Sequence, residues 1–287
     1  MEPIQILKKA QEGQYAVGQF NISTGEQLRA IIEAARELQS PVIIGTSESE
    51  RSFIGIKQIV ALVNTWQEET NIPVILNADH CKSFESVKEA VDAGYSAVHF
   101  DGSGLDFNKN IEITRQVVEY AKSKNPDIVV EGELGYLRGG SEIHKEIEIK
   151  PEDLTKPDQA KEFIEKTKVD SLAIAVGNIH GIEVDLENPH LYLEKIKEIQ
   201  KNVPSTFLVL HGGSGTPEED IKEAIKLGVV KVNVNTELRI AFVNALKKSL
   251  AEQSSEIKPY KILAYSVNTV RETVKEKIKL FGSQGKI

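Results

Sequence analysis

The sequence predicts a (β/α)8 barrel, a TIM barrel with an extra helix at its N-terminal end and a helical extension at its C-terminal end. Three observations carry that prediction. Eight apolar runs, at 16–22, 42–47, 74–80, 97–103, 129–135, 171–177, 207–213 and 229–235, read as strands that each end in polar residues. The runs are continuous rather than alternating, as parallel strands buried on both faces require. Segments with helix signals separate them, and alternating strand and helix over about 250 residues suits an eight-fold barrel. A doubly wound open sheet is the alternative, but it usually has fewer strands and a Gly-rich turn after the first. Here the first run leaves through Asn21-Ile22-Ser23-Thr24.

Residues 1–11 read as a short amphipathic helix, with Pro3 near its start where a missing N–H costs nothing. Ser23-x-x-Glu26 reads as a capping box, and Leu28, Ile31, Ile32, Ala35 and Leu38 then share one helix face. Pro73 bounds the run at 74–80, which closes on Asp79 and His80. The stretch 135–158 departs from the repeating unit: it is long, polar and without a clear helical period, and is expected to be a mobile loop over the site. Thr216 is expected to cap the helix after the seventh run, with Pro217 at its first position, Glu218 and Glu219 as early acids and Gly228 at its end. A helix near 236–252, a stretch at 254–258 and a last helix from about 267 to 281 complete the chain. No low-complexity tract or linker interrupts it, so 1–287 reads as a single domain.

At 40% hydrophobic and 27% charged, 287 residues hold ample material for a core. A net charge of -8 and a pI near 5.4 leave no basic face for nucleic acid. The single cysteine, Cys81, rules out an internal disulfide and fits a reducing compartment. Residues 1–13 lack the continuous apolar core of a leader, and no run approaches the ~20 residues that span a bilayer. A cytoplasmic protein with neither a nucleic-acid nor a membrane partner is expected.

In a barrel of this kind, chemistry sits at the C-terminal ends of the strands. Those ends carry Asn21, Ser47, Asp79 with His80, Asp101, Glu133, Asn178 with His180, His211-Gly212-Gly213, and Asn233 with Asn235. Polar groups gathered in this way point to one shared site. Adjacent strand residues face opposite sides, so Asp79 and His80 can address that site together only at the rim, where the chain turns. His80, His180 and His211 stand at exits three, six and seven, and three converging imidazoles with open positions left over describe a catalytic zinc site. A structural zinc site would show close pairs such as C-x-x-C, which this chain lacks.

His99 shares strand parity with Asp101 and is expected to be a hydrogen-bonded core histidine or to support a ligand. Solvated positions are expected for His144 and His190, and a packing role for Cys81. Asp101 and Glu133, with Glu131 two residues earlier, are either metal ligands or orienters of ligands, and a structural salt bridge to Lys231 is the alternative. Gly212-Gly213-Ser214-Gly215 and Asn233-Val234-Asn235-Thr236 each precede a helix and so read as a phosphate site.

AVGQFN, the serine of GTSES, NADH, HFDGS, VEGELG, GNIHG, LHGGSG and KVNVNTE together resemble the class II, metal-dependent ketose-bisphosphate aldolases, which include fructose-1,6-bisphosphate and tagatose-1,6-bisphosphate aldolases. The match runs from about Tyr15 to Phe281. The resemblance implies His80, His180 and His211 as ligands of the catalytic Zn2+, Asp79 as the proton-transferring acid/base, and Asp101 and Glu133 as ligands of a second or alternate divalent position. It implies dihydroxyacetone phosphate against Gly181, Gly212, Gly213, Ser214, Asn233, Val234, Asn235 and Thr236, with Asn21 and Ser47 near the substrate. A monovalent cation near the phosphate is implied as well. Glu142 matches the glutamate that moves the carbon-bound proton. The loop around it departs from the family pattern: Tyr136-Leu137-Arg138 before Gly139-Gly140 is one residue longer, and Ile143 stands where an acid is usual. Glu146 and Glu148 lie in the same loop and are alternative carriers.

The activity so implied is reversible cleavage of fructose 1,6-bisphosphate to dihydroxyacetone phosphate and glyceraldehyde 3-phosphate, with tagatose bisphosphate or another ketose phosphate as alternatives. A Schiff-base aldolase using the inward-facing Lys231 would leave three exit histidines without a purpose. A catalytically silent sugar-phosphate-binding barrel is the reading outside enzymes. A homodimer or homotetramer is expected, with the extra C-terminal helix available for the contact.

Overall fold

The computed structural model describes residues 1–145, 147–184 and 188–287. In chain order, α1 (Pro3–Glu12), β1 (Val17–Asn21), α2 (Gly25–Leu38), β2 (Val42–Thr46), α3 (Glu48–Ile54), α4 (Ile56–Thr70) and β3 (Val74–Cys81) open the fold. Next come α5 (Phe84–Ala93), β4 (Ala97–Phe100), α6 (Phe107–Lys124), β5 (Val129–Leu134), β6 (Gly139–His144), α7 (Pro157–Thr167), β7 (Ser171–Ile174) and β8 (His180–Glu183). The chain ends with α8 (Leu193–Asn202), β9 (Phe207–Leu210), α9 (Glu218–Lys226), β10 (Val229–Val234), α10 (Thr236–Glu252), α11 (Pro259–Ile262) and α12 (Ala264–Leu280).

Strands β1-β10-β9-β7-β5-β4-β3-β2 close into a parallel barrel, the TIM barrel expected from the eight apolar runs. Every barrel strand is buried along almost its whole length, which is why its sequence is continuous rather than alternating. The outward side chains meet the helices in one large core that includes Phe20, Ile44, Leu76, Phe100, Val130, Leu172, Leu208 and Val232. The inward residues at the strand starts, Val17, Ile43, Ile75, Ala97, Val129 and Phe207, form a second apolar cluster with Ile6, Leu7 and Ala10 of α1. The N-terminal helix therefore plugs the bottom of the barrel, each buried aliphatic side chain contributing about 1.5–3 kcal/mol relative to exposure. At the other terminus α12 packs on α2 and α10 through Val267, Val270, Val274 and Ile278. The Phe281 carbonyl after it accepts from Ala16 N–H at 3.0 Å.

Several local expectations shift. The cap of α2 is Thr24, whose hydroxyl accepts from Gln27 N–H, and Ser23 instead donates its N–H to the Gln27 side chain (2.7 Å), so the predicted capping box is not formed. Pro217 occupies the cap position of α9, because the Thr216 hydroxyl is spent on the Gly212 carbonyl (2.8 Å). The stretch 135–158 is not structureless over its described residues. It holds β6, paired in parallel with β8, and a short 3-10 turn at Pro151–Asp153. Arg138 explains the base of that insertion: its guanidinium grips Asp153 through Nε (2.5 Å) and a second nitrogen (3.0 Å), a bidentate clamp across the stem. No helix among the described residues is long and apolar enough to cross a membrane.

Candidate active site

Strand β3 solves the problem set by alternation. Its pairing with β4 shifts register between Ala78 and Cys81, and His80 sits at φ 47, the left-handed region that an L-residue rarely adopts. The bulge turns His80 back toward the side that Asp79 already faces. The strain, about 1–3 kcal/mol, is held by the His80 Nδ1 hydrogen bond to Asp101 Oδ2 at 2.8 Å. His99, on β4, is fully buried beneath these groups, its Nε2 3.0 Å from Glu133 Oε2 and its Nδ1 3.7 Å from Asp79 Oδ1.

Below the exits lies a buried polar layer, one inward position further down each strand. Asn77 donates to Gln19 (2.8 Å), Gln19 to Asn21 (3.1 Å), and Asn21 to both Asp79 Oδ2 (3.0 Å) and Glu50 Oε2 (3.1 Å). On the far side Lys231 Nζ meets Glu131 Oε2 at 2.6 Å, while Glu131 Oε1 accepts from His211 Nε2 at 2.9 Å. The salt bridge to Lys231 is thus made by Glu131, and Asp101 and Glu133 turn to His80 instead.

The charges follow from these contacts. Burial pushes the Asp79 carboxyl up, but His80, His99 and His211 outweigh it and hold the group well below the usual carboxylate range. Burial likewise opposes ionisation of Asp101 and Glu131, yet His80 at the first and Lys231 at the second keep both carboxylates low. For His180, burial and the neighbouring His80 and His211 act together, so its pKa falls well below the ordinary value and the ring stays neutral, the form that ligates metal. Burial lowers His211 too, against the pull of Glu131.

The donor set suits a divalent cation. Ligand atoms of Asp79, His80, His99 and His211 lie within 4.8 Å of one another, as do those of His80, Asp101 and Glu133. The His80 ring centroid is 4.7 Å from that of His211 and 4.9 Å from that of His180, so the three predicted histidines gather at one point. His180 joins neither of the tighter sets, standing 5.9 Å from His211 by ring centroid. His80 gives its Nδ1 proton to Asp101 and His211 its Nε2 proton to Glu131, which turns the remaining nitrogens inward. Those two, His80 Nε2 and His211 Nδ1, face each other at 3.0 Å. A proton shared between the rings or a metal ion satisfies such a pair, and His211 Nδ1 also faces Asn233 Nδ2 at 3.2 Å. Two nitrogens on a tetrahedral zinc would stand roughly 3.3 Å apart, given Zn–N bonds of about 2.0–2.1 Å. Glu133 Oε2 adds a buried oxygen that lacks a hydrogen-bond partner, since His99 Nε2 lies off its hydrogen-bonding line.

Beside this centre is a cavity of about 210 Å³ lined by Asn21, Ser47, Asp79, His80, His180, Gly181, His211, Gly212, Ser214, Asn233, Asn235 and Thr236, together with Ser141 and Arg239. Its floor is a tight backbone cradle. Ser214 Oγ accepts from the N–H groups of Asn235 and Glu237, both at 3.3 Å, joining the β9 exit to the N-terminus of α10. Gly212 sits at φ +67 where a Cβ would strike the Ile179 carbonyl, and Gly181 at φ +98 where one would strike the Glu142 and Gly140 carbonyls. A helix N-terminus beside glycines is the usual place for an anion.

A family model described as "Fructose-bisphosphate aldolase class-II" matches residues 2–286. The chain belongs to the class II ketose-bisphosphate aldolase family. It is 40% identical over 288 residues to the fructose-bisphosphate aldolase of Geobacillus stearothermophilus, covering 98% of this chain and 96% of that protein. It is also 40% identical over 286 residues to the 6-phospho-5-dehydro-2-deoxy-D-gluconate aldolase of Shouchella clausii, covering 98% and 94%. Among solved structures, the YdjI aldolase from Escherichia coli is similar with a TM-score of 0.83 and 33% identity, over 99% of this chain and 97% of that one. As an enzyme of this family it carries out an aldolase-type reaction on a sugar phosphate, and its His/Asp cluster is the place for a divalent cation.

The remaining predicted residues are placed as follows. Asp101 and Glu133 line a neighbouring cavity with His80 rather than the main one. Val234 packs outward into the core, so only its backbone faces the ligand side, and Gly213 spends its N–H on the Asn233 carbonyl (2.9 Å). Glu142 is exposed on β6 and does not line either cavity, while its neighbour Ser141 lines both. Glu148 is exposed, and Glu146 lies outside the described residues. His190 is exposed beside Asp220 (2.9 Å), whereas His144 is half-buried against Gly140. Sequence reasoning missed Gln19, Asn77, Glu50 and Arg239. The first two were signalled by parity with Asn21 and Asp79, and Arg239 by its place one helical turn after Thr236. Glu50 Oε1 accepts from Arg239 at 2.8 Å, a contact between elements far apart in sequence that no local pattern announces.

Proposed function

We propose that the protein is a zinc-dependent aldolase, acting as one domain over 1–287, that reversibly cleaves fructose 1,6-bisphosphate to dihydroxyacetone phosphate and glyceraldehyde 3-phosphate. The observation that carries the zinc reading is the pair of inward imidazole nitrogens of His80 and His211, 3.0 Å apart, with their other nitrogens committed to carboxylates. His180 supplies the third imidazole. A zinc ion held by these three histidines would supply Lewis acidity to the ketose carbonyl and to the negative charge that forms beside it.

The chain's own residues do the rest. The stretch Gly212-Gly213-Ser214 and the stretch Asn233 to Thr236, with Gly181, form the cradle for the phosphate of the dihydroxyacetone half, Gly213 shaping it while its own N–H bonds the Asn233 carbonyl. Asn21 and Ser47 fix the other half, and Arg239 at the cavity wall offers a cation to an anionic distal group. Asp79, ionised and 3.0 Å from the Asn21 amide, takes the proton of the C4 hydroxyl as C4 becomes an aldehyde. The C3–C4 electron pair stays on C3, which receives a proton from Glu142 once β6 swings its carboxylate inward. Synthesis runs these transfers backward. Lys231 Nζ is committed to Glu131 at 2.6 Å, which speaks against its use as a Schiff-base nucleophile.

Another ketose phosphate is the second reading, favoured by the equal 40% identity to a relative with a different named substrate. A coupled assay on pure fructose and tagatose 1,6-bisphosphates, before and after chelation, tests both. Activity on the fructose ester, abolished by EDTA and restored by Zn2+ or Co2+, is expected. Activity that survives rigorous metal removal, or a borohydride-trapped adduct at Lys231, would overturn the zinc reading.

A further inference from the structure

Resting on the zinc reading above, we propose that Lys82 is a built-in cation for the second carboxylate cluster. The chain then holds one divalent ion where His80, Asp101 and Glu133 could otherwise help to hold a second. That cluster is well formed, with one ligand atom from each residue within 4.8 Å of the others, beside a cavity of about 230 Å³ that Lys82 also lines.

Within the cluster Glu133 Oε2 is open, and it is Asp101 whose capacity is spent. Asp101 Oδ1 accepts from Ser103 N–H (3.2 Å) and Ser103 Oγ (2.6 Å). Its Oδ2 accepts from His80 Nδ1 (2.8 Å) and from the Lys82 ammonium. A carboxylate has about four lone-pair positions, and all are taken. Lys82 alone holds the position on Asp101 Oδ2 that a second ion would need beside the open Glu133 oxygen, since the Ser103 and His80 contacts leave one lone pair once the ammonium is gone.

Lys82 is placed for this task by its backbone. Its N–H donates to Glu48 Oε1 at 3.0 Å, and the next residue, Ser83, caps α5 through Ser86 N–H. The residue is thus pinned between strand and helix, and the side chain has only to reach over the rim. At 62% exposure the lysine keeps water around much of its length while its ammonium touches a carboxylate that is 4% exposed. The desolvation cost that makes buried pairs expensive therefore falls on the acid alone. A dication beside that ammonium would meet like charge at short range.

The test counts metal. Protein equilibrated with excess Zn2+ and then desalted is assayed by elemental analysis, with circular dichroism to check folding. Wild type is expected to retain one equivalent per chain, Lys82→Met two, and Lys82→Arg, which keeps the charge, one. A Co2+ titration should show a second spectral species only in Lys82→Met. Two equivalents in wild type or in Lys82→Arg, or no second equivalent in Lys82→Met, would overturn the role given to Lys82. No retained metal in wild type would overturn the zinc reading beneath it too, so the two failures are told apart.

Discussion

The inside of this barrel is two different materials stacked on the same strands. At the bottom Val17, Ile43, Ile75, Ala97, Val129 and Phe207 pack against α1 with no polar atom among their side chains. One inward position higher stand Gln19, Asn77, His99, Glu131 and Lys231, all buried, and above them Asn21, Asp79, Asp101, Glu133, His211 and Asn233. Two residues along a strand, some 7 Å, separate a layer that contributes transfer free energy from one that must recover its desolvation cost through hydrogen bonds. The bottom closes the barrel. The top uses that closure to hold side chains in arrangements they would not choose for themselves, His80 at φ 47 among them. If this division holds, substitutions above should change chemistry at little cost in stability, and substitutions below the reverse.

The largest effect is expected where the two adjacent residues of β3 divide their labour. His80→Ala should lose both metal and turnover. Asp79→Ala should keep metal near the wild-type level while turnover falls by at least ~10²-fold, the usual scale for losing a general acid/base. Metal analysis beside steady-state kinetics separates the two. Since Asp79 has a ligand atom within 4.8 Å of those of His80, His99 and His211, loss of metal from Asp79→Ala to the same extent as from His80→Ala would make it a ligand and not the proton carrier.

A smaller effect is expected at Glu142, which lies outside both layers. Its carboxylate is exposed on β6, so it reaches the cavity only if that strand moves. Gly139 and Gly140 just before it give the backbone that freedom. Glu142→Gln should retain zinc and bind dihydroxyacetone phosphate, yet exchange the carbon-bound hydrogen of that ligand with solvent about 10- to 100-fold more slowly, a general-acid effect without the metal's share. Exchange at the wild-type rate there, with loss in Glu146→Gln or Glu148→Gln, would move the role along the loop.

How far the sequence alone reached follows the same division. The strand starts were legible because continuous apolar runs report burial on both faces, and the exits because polar residues recur at the ends of those runs. The polar layer between them was largely hidden. Gln19 and Asn77 sit inside runs that read as apolar, and their meaning comes from neighbours across the barrel: Asn77 bonds Gln19, 58 residues away. His99 was legible as a buried partner through its parity with Asp101, but its ligand atom also falls within the same 4.8 Å set as those of Asp79, His80 and His211. The bulge in β3 was foreseen only as a need, since alternation alone could not bring Asp79 and His80 to one side. The insertion at 135–158 was misread because β6 has no hydrophobic pattern of its own; it becomes a strand by pairing with β8, whose partner residues begin 41 positions later, at Gly139 and His180.

The smallest effect on chemistry, and the largest on stability, is expected at Ile75. It is 1% exposed in the bottom layer, paired in register with Ile43 of β2 and two residues below Asn77 on the same strand. Truncation to alanine removes three carbons from a close-packed site that the surrounding sheet cannot collapse to fill, so Ile75→Ala should destabilise by about 2–5 kcal/mol. The loss should appear in thermal or denaturant unfolding, with zinc held at one fixed concentration so that ligand binding does not shift the midpoint between variants. Below the unfolding transition, kcat/KM should stay within about threefold of wild type, because the substitution shares no partner with the catalytic groups. A kcat/KM that falls in step with stability would show that the polar layer borrows its geometry from the apolar one. Asp79 and His80 would then be aligned by the packing beneath them and not by their own hydrogen bonds to Asn21 and Asp101.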